Sequence, residues 1–180
     1  MLRFTIIFII LIITLFSLEL FEPVRQAVIL PFTSFLAYFS SGIMHIFDAD
    51  VISTQDVIRS KSTGSAVRIA AGCNGVEAVI VLFSAIFAFP SQFKHKILGF
   101  ILGFFGIQIL NVIRIISLYY LLQWDKAWFD WFHLYLWQAL IILDALVVWL
   151  IWLRYLPKNN QKHLNDEILD GVADSLEKLL

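Results

Sequence analysis

The chain has 180 residues, 60% of them hydrophobic and 15% charged, with a mean hydropathy of +0.83 and a formal net charge of −1. A water-soluble domain averages about 45–50% apolar and about 25% charged residues, so this composition describes an integral membrane protein. The near-zero charge gives no footprint for nucleic acid, and a single cysteine excludes an intrachain disulfide and a CxxC metal or redox pair.

Residues 4–20 form an apolar run without a charge until Glu19, just long enough to cross a hydrocarbon core of about 30 Å. Only Arg3 is basic ahead of it. Leu18-Glu19-Leu20-Phe21-Glu22-Pro23 is a poor small-residue cleavage site, so the run reads as a retained helix. Residues 24–47 give a second helix, softened by Pro31, Thr33, Ser34, Ser40 and Ser41, which either spans or lies in the interface. From residue 48 to 68 the character changes. Val51, Val57, Ile58, Val67 and Ile69 are set among polar residues, and Ser62-Thr63-Gly64-Ser65 separates two extended runs. This predicts a small β-hairpin over about 48–70 with its turn near Gly64. An isolated hairpin is marginal in water, so it should pack on the bundle, close to Cys73.

Residues 76–89 form the third helix, ended by Pro90, and Ser91 to Lys96 a short basic loop. The fourth helix, 97–122, carries Gln108, Asn111 and Arg114 among apolar residues. An aromatic loop over 123–131 suits the membrane interface. The fifth helix runs from about 128 to 156, with His133 in its first turns and Asp144 midway. Beyond Pro157, Leu164, Ile168, Leu169, Val172, Leu176 and Leu179 recur at helical spacing among charges, an amphipathic tail that lies on the membrane surface or binds a partner. The expected fold is an all-α polytopic membrane protein. It has about five transmembrane helices, a small extracytoplasmic β-hairpin before Cys73, a membrane domain over 1–157 and a soluble tail helix over 158–180.

Lys and Arg in short loops mark the cytoplasmic side. Lys94 and Lys96 follow the third helix; Arg154, Lys158 and Lys162 follow the fifth. With both groups cytoplasmic, Cys73 is extracytoplasmic, and so are the far end of the fourth helix and His133. The N-terminus is outside if residues 24–47 span and inside if they lie in the interface. Each ionisable group in a span costs about 2.5–3.5 kcal/mol on insertion scales, so each needs a reason. Arg114 lies about eight residues, roughly 12 Å, inside the outer end of its helix. Asn111 shares its face at i−3, and Glu77 shares a face with Cys73 at i+4. A thiol, a guanidinium and an imidazole thus reach one layer from three helices.

Each residue also has a plainer reading. Cys73 can be a small buried hydrophobe, His133 an interfacial histidine among aromatics, and Arg114 a structural partner of Glu77. Asp144 sits deeper and suits a structural or partner role. His95 and His163 fall on the cytoplasmic side, while His45 is the alternative histidine on the outer side. Taken as a site, the three residues have coherent chemistry. A thiolate is a strong nucleophile, activated when a neighbouring imidazole, cation or helix N-terminus lowers its pKa. Arginine cannot act as a base, but its fixed donors can hold an oxyanion, and histidine can carry protons. Together they suit acyl transfer through a thioester. No HExxH, GxSxG or Gly-rich phosphate loop is present, and no metal or cofactor is called for.

Gly72-Cys73-Asn74-Gly75 at the head of one helix, Asn111-Val112-Ile113-Arg114-Ile115 inside the next and Phe132-His133 at the head of a third resemble the exosortase/archaeosortase family of membrane cysteine transpeptidases. AGCNGVEAVIVL, NVIRIISLYYL and FHLYLWQALIILDALVVWL read most like the exosortase H branch, over about residues 1–155. The resemblance implies a multi-pass enzyme of the inner membrane of Gram-negative bacteria, its site facing the periplasm. It would cleave a PEP-CTERM-like C-terminal sorting signal, of IPTL type in the H branch, from membrane-anchored exported proteins and transfer them to an acceptor. By match to the motifs, Cys73 is the nucleophile, Arg114 the transition-state stabiliser and His133 the proton carrier, supported by Asn74, Glu77 and Asn111. The competing classes are a scaffold or transporter subunit with a structural Arg114–Glu77 pair, and a pure endopeptidase.

Overall fold

The computed structural model describes residues 2–70 and 72–156. The tail expected over 158–180, His163 included, lies outside the described residues. Among those described, four helices are long and apolar enough to cross a membrane: α1 (Leu2–Leu20), α2 (Glu22–Met44), α4 (Phe93–Trp124) and α5 (Lys126–Tyr155). A fifth, α3 (Val76–Ala88), is shorter. Its 13 residues rise about 20 Å, well under the hydrocarbon thickness. Both its ends have local causes. Gly75, with φ of +74°, turns the chain in the left-handed region at the entry. At the exit Phe89 is extended (φ −71°, ψ 135°), as a residue preceding proline must be.

Two helices contain a wide π turn. In α2 it covers Arg25–Ile29, just ahead of Pro31, which has no N–H to give to the carbonyl of Ala27. In α5 it covers Phe132–Leu136 and includes His133. Between α4 and α5 the chain breaks at Asp125, whose carboxylate accepts from the Ala127 N–H at 2.6 Å and caps the new helix.

The polar insert is a three-stranded antiparallel sheet, not a hairpin. β1 (Val51–Thr54) pairs with β2 (Val57–Ser60), and β2 with β3 (Ala66–Arg68). The expected turn at Gly64 joins β2 to β3. The extra strand precedes it, joined through Gln55, a non-glycine residue at φ of +54°. Asp50 ties the outer loop together, accepting from the hydroxyls of Ser60 and Ser62 and from the Ser62 N–H at 2.9 Å. Those hydrogen bonds, Ser60 foremost, hold its carboxyl below the usual range. On the inner face Val51, Ile58 and Val67 are buried with Leu36, Ala37 and Met44 of α2 and Val112, Ile115 and Tyr119 of α4. This packing covers the sheet.

A second core joins α3, α4 and α5 through Leu82, Ile86, Ile107, Ala145 and Trp152. Gly99 and Gly103, one turn apart on α4, let these helices close up. A Cβ at Gly99 would fall within the Trp152 indole, and one at Gly103 would meet Leu82 at 2.5 Å. α1 packs along α3 and places Glu19 near the sheet-bearing end of the bundle.

Candidate active site

Cys73 lies in the irregular loop between the sheet and α3. That loop is shaped by two positive-φ glycines, Gly72 (+81°) and Gly75 (+74°). A Cβ at Gly75 would stand 3.2–3.3 Å from the side-chain amides of Gln108 and Asn111, so the absence of a side chain lets the polar face of α4 abut the loop. Asn74 is buried. Its Oδ1 accepts from the Val76 N–H at 3.1 Å, and its Nδ2 donates to Thr33 Oγ1 of α2 at 3.2 Å. The asparagine therefore fixes the entry to α3 and pins it to α2. Thr33 was read in the sequence only as a residue that softens a span.

Arg114 is 2% exposed and reaches this loop directly. Nη2 donates to Cys73 Sγ at 3.3 Å and Nη1 to the Gly72 carbonyl at 3.2 Å. Glu77 is not its ion-pair partner. Among the described residues the ion pairs are Arg25–Glu22 and Arg68–Asp56, and Glu77 Oε1 instead accepts from the Gly72 N–H at 2.5 Å. Both polar backbone groups of Gly72 are thus held by charged side chains, one from α3 and one from α4.

The thiol is not depressed as its cationic neighbour suggests. Burial pushes it up, Arg114 pulls it down, Glu77 adds to the rise, and burial wins, leaving Cys73 above the ordinary thiol range. A nucleophilic role for Cys73 calls for a base to take its proton. His133 stands on α5, within range of the Arg114 charge, its ring stacked on Phe129 at 5.5 Å. Its Nδ1 is buried without a partner, and among the described residues no hydrogen bond joins it to Cys73. His45 is exposed at the end of α2, and His95 lies at the opposite end of the bundle, accepting from Trp152 Nε1 through its carbonyl.

Asn111 donates to Gln108 at 3.4 Å and leaves its Oδ1 unpartnered, as are Arg114 Nε, Gln108 Nε2 and Trp137 Nε1. Asn111, Arg114 and Trp137 line a crevice of about 10 Å³, room for one water, that also reaches Asp144. Asp144 therefore shares a wall with Arg114. A larger apolar groove of about 520 Å³ runs along Gly99, Gly103 and Trp152. It is about 22 Å from Arg114 along α4. Among the described residues no group of three His, Cys, Asp or Glu is arranged to hold a metal ion.

The arrangement sets a half-buried thiol against the buried double donor of Arg114, with the half-buried His133 ring within range of the Arg114 charge. In comparisons with known proteins, no curated protein and no solved structure matches the chain. One family model does match, described as transmembrane exosortase (Exosortase_EpsH), over residues 1–150.

Proposed function

The chain belongs to the transmembrane exosortase family, and from that premise we propose that it is a cysteine transpeptidase in which Cys73, Arg114 and His133 carry the chemistry. The observation that carries this reading is the double contact of Arg114 with Cys73 Sγ and the Gly72 carbonyl. A buried guanidinium with no ion-pair partner among the described residues is costly unless it has work at that spot.

In the proposed reaction His133 takes the proton of the Cys73 thiol, and Sγ attacks the scissile carbonyl carbon of the substrate. Arg114 turns its donors from sulfur and backbone to the oxyanion that forms, a group that develops only in the transition state. His133 then protonates the departing amine, the C–N bond breaks, and a thioester remains on Cys73. An acceptor nucleophile gives its proton to His133 and attacks the thioester, regenerating the thiol. Catalytic hydrogen bonds often form only when substrate binds, so the lack of a His133–Cys73 bond among the described residues is compatible with this role. Asn111 and Trp137, with their unpartnered atoms, are suited to receive peptide groups that have lost water at this depth.

The proposed substrates are membrane-anchored exported proteins with a C-terminal sorting signal, of IPTL type by the likeness to the H branch. The proposed setting is the inner membrane, with the site on the periplasmic face. No cofactor enters the scheme. Co-expression with a tagged protein bearing such a signal, followed by mass analysis of its new C-terminus, tests it. The expected product is a shortened protein carrying an adduct, absent in Cys73→Ala. A free carboxylate would mean hydrolysis alone, and unchanged processing in Cys73→Ala would refute the reading.

A further inference from the structure

The groove between α4 and α5 has two kinds of surface. Its body is apolar, lined by Leu98, Gly99, Leu102, Gly103, Ile151 and Trp152. Leu98 and Leu102 are 57% and 64% exposed, so the groove opens toward the bilayer. On α4 it runs from His95 to Gly103, about 12 Å, close to the roughly 15 Å that one leaflet gives to the hydrocarbon core.

Its mouth is cationic. Lys94 stands one turn before Leu98 on the same face of α4, and Arg154 one turn beyond Ile151 on α5. Both are exposed, and neither has an ion-pair partner among the described residues. The sequence holds no acidic residue between Glu77 and Asp125 to neutralise them. α4 begins here without a side-chain cap from Gln92, which leaves the positive end of its dipole at the same place. His95 also lines the mouth, and its Nδ1 is buried with no hydrogen-bond partner among the described residues.

We propose that this groove binds an anionic phospholipid, with one acyl chain along the groove and the phosphate between Lys94 and Arg154. A purely apolar occupant would use the walls and leave the cations without a role. A soluble anion would use the cations and leave the walls bare. A lipid with an anionic head joined to an apolar chain uses both. The expected sidedness puts this end at the cytoplasm, where the leaflet carries the anionic lipid.

The full chain is reconstituted in nanodiscs of dioleoylphosphatidylcholine with a graded fraction of dioleoylphosphatidylglycerol. Native mass spectrometry then identifies the lipid that stays bound. Wild type should retain phosphatidylglycerol in preference to phosphatidylcholine. Lys94→Gln and Arg154→Gln should each weaken that preference about fivefold, and Lys94→Arg should keep it. Leu102→Trp fills the groove with the charges in place and should lose the lipid. Equal retention of both lipids by wild type would overturn the proposal, as would an undiminished preference in the double Gln variant, whose exposed side chains leave the packing intact. Unchanged retention in Leu102→Trp would put the lipid elsewhere on the bundle and overturn it too. Displacement of phosphatidylglycerol by inorganic phosphate would make this a soluble-anion site. Retention only after removal of residues 159–180 would make that segment the native occupant. Either result refutes a lipid site.

Discussion

Replacing Arg114 by lysine keeps the charge and removes the fork. In the structure Nη1 and Nη2 serve two acceptors at once, the Gly72 carbonyl at 3.2 Å and Cys73 Sγ at 3.3 Å. A single ammonium on a flexible stem can satisfy one of them in a fixed direction and leaves the other bare. The loop should hold, because Glu77 still accepts from Gly72 N–H and Asn74 still bridges to Thr33. The missing donor is the one the oxyanion would use. Losing one such donor costs about 10²–10³ in rate, roughly 2.7–4 kcal/mol of transition-state stabilisation. Arg114→Lys should therefore process a sorting-signal substrate about 10²–10³ more slowly while Cys73 remains open to alkylation. Arg114→Leu combined with Glu77→Leu should not recover activity, because those side chains are not an ion pair. Near-wild-type processing in Arg114→Lys or in the double variant would refute the reasoning.

His133→Ala should lower processing by about 10²–10⁴ at unchanged protein level, whereas His45→Ala, an exposed residue, should match wild type; the reverse pattern in the processing assay would reassign the base. Because burial holds the Cys73 thiol above its ordinary range, wild-type alkylation should still be rising beyond about pH 8.5, and a plateau below that would contradict it. Arg114→Leu removes the cation that favours the thiolate, so its alkylation should be slower than wild type at every pH below the plateau. Gly75→Ala forces a side chain into the left-handed region and toward two amides, at a cost of about 1–2 kcal/mol, so thermal unfolding in detergent should move down by about 2–8 °C. A membrane-impermeant maleimide should label Cys73 in intact spheroplasts, and labelling only in inside-out vesicles would invert the topology.

Much of this architecture is written in short-range signals. Apolar runs give the long helices, Pro90 ends α3, and Gly64 sits in the turn between β2 and β3. That Arg114 faces the Gly72–Cys73 loop follows from counting residues inward along α4. What the counting misses depends on contacts between distant segments. β1 earns its place only by burying Val51 against α2 and α4, which period-two alternation in five residues does not reveal. The late start of α3 comes from Gly75, whose backbone angle matters because Gln108 and Asn111 of α4 press against it. The i+4 spacing of Glu77 from Cys73 suggested a partner for Arg114, but its carboxylate turns to the backbone instead. The thiol's resistance to ionisation is likewise a property of burial, invisible in a list of neighbours.

The brevity of α3 leaves the loop that carries Cys73 to satisfy its own backbone. A helix of about 20 Å inside a layer of about 30 Å leaves some 10 Å to be filled by non-helical chain. Irregular backbone survives there only if the protein itself satisfies it. Here it does so group by group: Gly72 through Glu77 and Arg114, Cys73 N–H through the Ala70 carbonyl at 3.0 Å, Val76 N–H through Asn74. The polar residues around the sulfur thus serve a second purpose, as the lining that lets an irregular loop exist between the sheet and α3.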